Sequence, residues 1–376
     1  MKYNMVDLVG QYKRIKNEVD NAVLNILEEA SFINGPAVRS FQANLEAYLG
    51  VKHVIPCANG TDALQVALMT LDLKPGDEVI TTSFTFIATA EVIALLKLTP
   101  VLVDVDPDTF NIDPKAIEAA ITPKTKAIIP VHLFGQCADM HVIKQIAEEH
   151  DLFVIEDNAQ AVGADYTCPA SGNSKKAGTL GHIGCTSFFP SKNLGAYGDG
   201  GAIFTNDDDL AAKMRVVVNH GMTVRYYHDE IGVNSRLDSI QAAILDIKLK
   251  HLDEYSKARL DAATYYNNAF ASSSKIKTPV TADFTTHVFH QYTLVLKDVD
   301  RDGLMKHLAD KGIASAVYYP VPLHMQKAYL DPRYKEGDFP ITEMLSKTVM
   351  SLPIHTELTP KIQKEITDAV LEFVEK

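Results

Sequence analysis

The chain has 376 residues, 46% apolar and 22% charged, and its 36 Lys+Arg against 48 Asp+Glu leave a net charge of −12. At about 150 residues per domain this length predicts two domains with cores large enough to need no disulfides. The acidic balance argues against nucleic-acid or membrane-surface binding, both of which want a concentrated positive face, and so favours a small-molecule partner.

The opening segment MKYNMVDLVGQYKRIKNEVD turns charged at once, without the apolar stretch of a secretory leader. No apolar run approaches the ~18–20 residues of a membrane span, so a cytoplasmic protein is expected. Cys57, Cys137, Cys168 and Cys185 form no C-x-x-C pair, and the closest histidines, His287 and His290, have no Cys or carboxylate beside them. No metal site is expected.

In chain order, a helix is predicted around 19–30, then a turn at Asn34-Gly35-Pro36 and a helix to Leu49. A short apolar run at 53–57 leads through Asn59-Gly60-Thr61-Asp62 into an amphipathic helix that ends before Pro75-Gly76-Asp77. The pattern recurs. Runs at 78–82, 101–105, 127–131 and 153–156 alternate with helical segments at 88–96, 115–121 and 140–149. This alternation predicts an α/β fold with a parallel sheet covered on both faces by helices, and a ligand at the carboxyl ends of the strands. A long helix is predicted over 239–269, followed by a smaller α+β region with a strand at 291–296. The division is placed at 1–245 and 246–376.

Four polar groups fall where a run gives way to a turn. Gly60 and Thr61 open a helix whose free N–H groups could cradle a phosphate, or Asn59 and Thr61 simply cap that helix. Asp157, with Gln160 three positions on, could hold a cationic ring nitrogen or a metal, or be a solvated loop carboxylate. In SFFPSKNLGAYGDGGAIFTND, residues 187–207, Lys192 sits among aromatic and apolar residues. Desolvation there would free its amine for a Schiff base, whereas an isolated lysine is more often a surface residue. Arg236, in the turn GVNSR, could grip a carboxylate or phosphate, or pair at a helix start. Phosphate cradle, carboxylate and amine together match what pyridoxal phosphate requires. The Asp104, Asp106, Asp108 series fails as a calcium loop, because Thr109 and Lys115 stand where Gly and Glu are needed. A D-x-D metal motif at Asp104 and Asp106 competes with a plain strand-end turn.

Taken together, Gly60-Thr61-Asp62-Ala63-Leu64, TSFTFIAT, IEDNAQAVGA, SFFPSKNLGAYGDGGAIFTND, GVNSRLDSIQAAIL and YYPVPLH resemble the DegT/DnrJ/EryC1/StrS sugar aminotransferases, in order from about Val6 to Pro353. The resemblance implies the fold-type I, aspartate aminotransferase-like architecture of pyridoxal-phosphate transferases. It implies Lys192 as the amine that bonds the cofactor, Asp157 as partner of the pyridinium nitrogen and Gln160 at the ring hydroxyl. Phe86 would lie on the ring, and Gly60, Thr61 and Ser187 would hold the phosphate. It further implies a homodimer with shared sites, in which Asn234 completes the phosphate site of the other subunit and Arg236 lies beside the sugar. Glutamate would donate the amino group, leaving 2-oxoglutarate, and a nucleotide-linked keto sugar would accept it. A branch that removes a hydroxyl instead carries His at the lysine position, so Lys192 implies transamination.

Among the branches, the chain most resembles the UDP-2-acetamido-2-deoxy-3-oxo-glucuronate aminotransferases. Arg236 and Tyr319 match residues that hold the uronate there, but Tyr318 replaces their His, and a dTDP-3-oxo-6-deoxyhexose is the alternative substrate. A pyridoxal-phosphate enzyme acting on an amino acid, or a regulatory protein of this fold without turnover, are rival readings; the intact Lys192, Asp157 and Gln160 oppose the latter. The segment TCPASGNSKKAGTL, residues 167–180, has no assigned role.

Overall fold

The computed structural model describes residues 1–375. Helix α1 (Leu8–Glu29) starts well before the predicted residue 19, with the Asp7 carboxylate accepting from the Gly10 N–H at 2.8 Å. Only Gln11, Ile15, Val19 and Ile26 of this helix are buried, and so thin an apolar stripe hid its first turns. α2 (Pro36–Leu49), β1 (His53–Cys57), α3 (Gly60–Met69), β2 (Glu78–Thr82), α4 (Ala88–Leu95), β3 (Thr99–Val103), α5 (Pro114–Ala120), β4 (Thr125–Ile129), α6 (Met140–Glu149) and β5 (Phe153–Asp157) follow the predicted alternation.

A short hairpin, β6 (Asp165–Thr167) and β7 (Ser174–Lys176), precedes β8 (Ile183–Ser187), β9 (Gly201–Thr205) and α7 (Asp208–Val217). The large sheet runs β1-β9-β8-β5-β4-β2-β3, and every strand except β9 points the same way. Successive strand residues enter opposite layers, as the pleat requires. Val79, Ala127, Ile155 and Ile203 pack with α3 and α7, while Ile80, Ile128 and Val154 pack with α6. A third cluster joins β1 and β9 to α2 through Phe41, Val54, Phe188 and Phe204.

After the exposed hairpin β10 (Met222–Val224) and β11 (Tyr227–His228), the predicted long helix is two helices, α8 (Ser239–Leu249) and α9 (Leu252–Phe270). The chain turns at Lys250 and His251 through i→i−3 bonds, and Asp253 and Glu254 occupy the first turn of α9, where its positive end favours acids. Residues 245 and 246 lie inside α8. Leu252 still packs with α2 and α8, whereas Ala262, Tyr266 and Phe270 belong to a separate core around β12 (Ile276–Lys277), β13 (Tyr292–Leu296), α10 (Arg301–Asp310), β14 (Val349–Leu352) and α12 (Pro360–Val374), while α11 (Pro340–Thr348) packs through Leu345 with Phe84, Phe110 and Phe134. The strands of that region form an antiparallel sheet, β12-β13-β14. No helix among the described residues is long and apolar enough to cross a membrane.

Candidate active site

The carboxyl ends of β1, β5 and β8 open into one cavity of about 470 Å³. Its lining brings together nine of the residues singled out in the sequence: Gly60, Thr61, Phe86, Asp157, Gln160, Ser187, Lys192, Tyr318 and Tyr319. Asn234 and Arg236 are not among them. Asn234 is exposed and bridges Asn219, and Arg236 lines a separate groove that also holds Arg39 and Arg215.

The anion cradle is local in origin. Asn59 caps α3, its side chain accepting from the Asp62 N–H at 2.8 Å, which leaves the N–H groups of Gly60 and Thr61 among the unpaired donors of the first turn. Asn59 is thus the cap, and Thr61 lines the cavity with its N–H unpaired. A Cβ on Gly60 would lie 2.6 Å from the Ser187 Cβ, so only glycine lets the helix end approach Ser187 this closely.

Asp157 ends β5, 6% exposed. Its Oδ2 accepts from the Thr89 hydroxyl at 2.7 Å and its Oδ1 from the Ala159 N–H at 3.2 Å. Its backbone is pinned to the end of β4, with the Asp157 N–H donating to the Pro130 carbonyl and the His132 N–H to the Asp157 carbonyl. Lys192 lies on a closed turn after β8, where its own N–H donates to the Phe189 carbonyl and the Ala196 N–H to that of Phe188. Burial of the amine lowers its pKa to about 8, against the opposing pull of Asp157. An amine so desolvated is neutral far more often at pH 7 than an ordinary lysine, as a nucleophile must be.

Gln160 is fixed at both ends of its amide. Its Oε1 accepts from the Phe134 N–H at 2.8 Å, and its Nε2 donates to the Tyr319 hydroxyl at 3.0 Å. Tyr319 packs among Phe84, Phe86 and Phe134, and burial pushes its phenol up. Tyr318 is pushed up by burial as well, with a hydrogen bond from Gln291 opposing. Phe86 stands 56% exposed at the rim, an apolar face without a cover inside this chain.

The structure adds two residues. Thr89, wholly buried in the first turn of α4, holds Asp157; it stands in the TSFTFIAT segment, but nothing in the string marks a hydroxyl aimed at a strand 68 positions away. His290 lines the cavity, and burial, then the charges of Lys192 and Arg259, hold its imidazole well below the ordinary range. Buried Arg259 donates to the carbonyls of Phe289 and Ile354 at 3.1 and 2.9 Å, strapping the segment before His290 in place. Asp104 caps α11 instead, accepting from the N–H groups of Ile341 and Thr342.

A buried carboxylate, a desolvated amine and an anion cradle around one cavity, at the strand ends of a largely parallel sheet, define an enzyme that works through a bound aldehyde cofactor of the pyridoxal type. Residues 13–371 match the DegT/DnrJ/EryC1/StrS aminotransferase family, and the chain belongs to it. It is 48% identical over 375 residues, 99% of each chain, to a pleiotropic regulatory protein of Geobacillus stearothermophilus. It is 46% identical over 353 residues to the UDP-2-acetamido-2-deoxy-3-oxo-D-glucuronate aminotransferase of Pseudomonas aeruginosa, covering 94% of this chain and 95% of that one. The solved structure of S. venezuelae DesV in complex with a ketimine intermediate superposes with a TM-score of 0.95 at 38% identity, covering 100% and 99% of the two chains. The fold is thus that of the pyridoxal-phosphate transferases, and the chain is an aminotransferase that uses pyridoxal 5′-phosphate. The residues present fit that cofactor: Gly60 keeps open a cradle that any Cβ would fill, and Lys192 and Asp157 put into the same cavity the amine and carboxylate that such a cofactor requires.

Proposed function

We propose that the protein, as a cytoplasmic homodimer with shared sites, moves an amino group from glutamate to the C3 keto group of a nucleotide-linked sugar, with UDP-2-acetamido-2-deoxy-3-oxo-glucuronate as the acceptor. The observation that carries this reading is the convergence of Lys192, Asp157 and the Gly60–Thr61–Ser187 cradle on one cavity, in a chain so similar to the Pseudomonas aeruginosa enzyme.

Bound pyridoxal phosphate supplies an electron sink for the pair left behind when a proton leaves the amine-bearing carbon. Gly60, Thr61 and Ser187 would hold its phosphate, and Phe86 would pack against its ring. Asp157, oriented by Thr89, keeps the ring nitrogen protonated. Gln160 has one N–H left for the ring hydroxyl once Tyr319 has taken the other. Lys192 would bond the cofactor through its amine, and the same amine, placed beside the reacting carbons, would move a proton between them as base and then acid. Asn234 and Arg236 of a second copy complete the phosphate site and grip the sugar carboxylate.

A second reading rests on Tyr318, which stands where the uronate enzymes have His and has no positive charge for a carboxylate; it favours a dTDP-3-oxo-6-deoxyhexose. The test is to load the enzyme with glutamate and follow the return of the cofactor's original absorbance in single turnover as each sugar is added. Return with the UDP-uronate alone supports the first reading, and return with the dTDP sugar alone supports the second. Return with neither overturns both.

A further inference from the structure

Between Asp157 and the β6–β7 hairpin lies a set of hydrogen bonds that none of the steps above uses. The carboxylate of Glu156, wholly buried, is surrounded by donors. Its Oε2 accepts from His132 Nε2 at 2.7 Å and from the Gly178 N–H at 2.9 Å, and its Oε1 accepts from the N–H groups of Leu180 and Gly181 at 2.6 and 2.5 Å. The Ala138 N–H donates to His132 Nδ1 at 3.2 Å, so the proton sits on Nε2 and points at Glu156.

On the other side of Asp157, Asn158 Nδ2 donates to the Ala177 carbonyl at 2.9 Å. Gly178 holds a left-handed φ of +86°, and a Cβ there would lie 2.7 Å from Asn158 Nδ2. Residues 177–181 thus grip both neighbours of Asp157. They follow directly on the hairpin, which an ion pair between Lys176 and Asp165 closes at 2.9 Å.

We propose that Glu156 and Asn158 are positioning residues for Asp157, and that ordering of the 177–181 run and retention of the cofactor at Asp157 are one coupled equilibrium. A buried carboxylate with four donors is stable only while all four stay in place, and losing one leaves charge without compensation. Residues 177–181 therefore cannot leave without stripping Glu156 of three of its donors and Asn158 of its carbonyl partner, and a group held by the Asp157 side chain between them resists that loss. Coupling of this kind is reciprocal, so the cofactor orders the run as much as the run holds the cofactor. This gives residues 177–180, the end of the otherwise unassigned segment, a role in cofactor retention.

The inference rests on Asp157 being the partner of the cofactor's ring nitrogen. Its test begins with the wild-type full-length protein, measured by amide hydrogen exchange with and without pyridoxal phosphate. The Gly178, Leu180 and Gly181 amides are expected to slow on loading roughly tenfold more than those of β13; slowing no greater than in β13 overturns the proposal. Glu156→Gln, which turns an amide NH2 toward donors, is expected to raise the Kd for pyridoxal phosphate roughly tenfold and to move the pH midpoint of the bound cofactor's absorbance. A folded variant with lower thermal stability but unchanged Kd and midpoint shows a merely structural role and overturns the proposal. If Glu156→Gln does not fold, the exchange experiment decides alone. Asp157→Asn separates the two ideas. An unmoved midpoint there refutes the reading of Asp157, whereas a moved midpoint there beside an unmoved one in Glu156→Gln refutes only the coupling.

Discussion

Replacing Lys192 with methionine should abolish turnover and yet make the cofactor-free protein more stable. An ordinary lysine titrates near 10.5, and burial brings this one to about 8. At ~1.4 kcal/mol per pH unit, a fall of that size withholds up to about 3–4 kcal/mol from the folded state at neutral pH. Below pH 8 both folded and unfolded chains carry the proton, and the cost is fully present. Between pH 8 and 10.5 the folded chain has shed a proton that the unfolded chain keeps, so stability rises with pH; above 10.5 the cost is gone. Methionine keeps an unbranched stem of similar length and removes the charge. Urea unfolding of wild type and Lys192→Met without cofactor, at pH 7 and pH 10, measures the difference directly. Comparing the two proteins at each pH cancels the titration of the buried tyrosines. The variant is expected to be the more stable at pH 7 and the advantage to shrink by pH 10. A variant no more stable than wild type at pH 7, or an advantage that persists undiminished at pH 10, would refute the argument from burial.

Thr89→Val removes a buried donor 2.7 Å from Asp157 and should cost about 1.5–3 kcal/mol in thermal unfolding, with Thr89→Ser recovering most of it; equal stability in all three proteins would show that this hydrogen bond carries nothing. Mixing Lys192→Ala with Asn234→Ala protomers should restore activity that neither variant has alone, since a mixed dimer would keep one site with both residues; a mixture as inactive as its parts would place Asn234 outside the partner's site. Arg236→Ala should raise KM for a uronate sugar by ~10–100-fold, the loss of a charged hydrogen bond, and leave a neutral sugar unchanged. Equal loss on both sugars would remove Arg236 from carboxylate recognition.

The parts legible in the sequence share a cause. β1, β2 and α6 have the predicted limits because apolar runs there end at punctuating residues such as Pro75-Gly76-Asp77 and the cap Asp139. β8 and β9 escaped recognition as strands because the glycines and the lysine between them read as one functional loop, and the antiparallel course of β9 has no local mark. The break between α8 and α9 was visible only in Asp253 and Glu254, acids suited to a helix start that the apolar periodicity of 239–269 overrode. Lys192, Asp157 and Thr61 could be picked out because each is a reactive or charged side chain at a strand end. Thr89 and His290 matter through what lies next to them in space, which one string of residues does not record.

The 167–180 segment shows the same limit from the other side. Its polar, glycine-containing text suggests a surface loop, yet the Gly178, Leu180 and Gly181 amides run up against the Glu156 carboxylate. Backbone N–H groups are common to every residue but proline, so an acceptor held by them leaves almost no side-chain signature where the donors lie. The only trace is the glycine at 178, whose left-handed φ and closeness to Asn158 exclude a side chain. The acceptor itself was in view all along, in the IED of β5, where a wholly buried charge demands donors from somewhere. Asking where a strand carboxylate finds its donors would have pointed from Glu156 to the glycines beyond the hairpin, and so from the chemistry readable at Asp157 to the silent segment beside it.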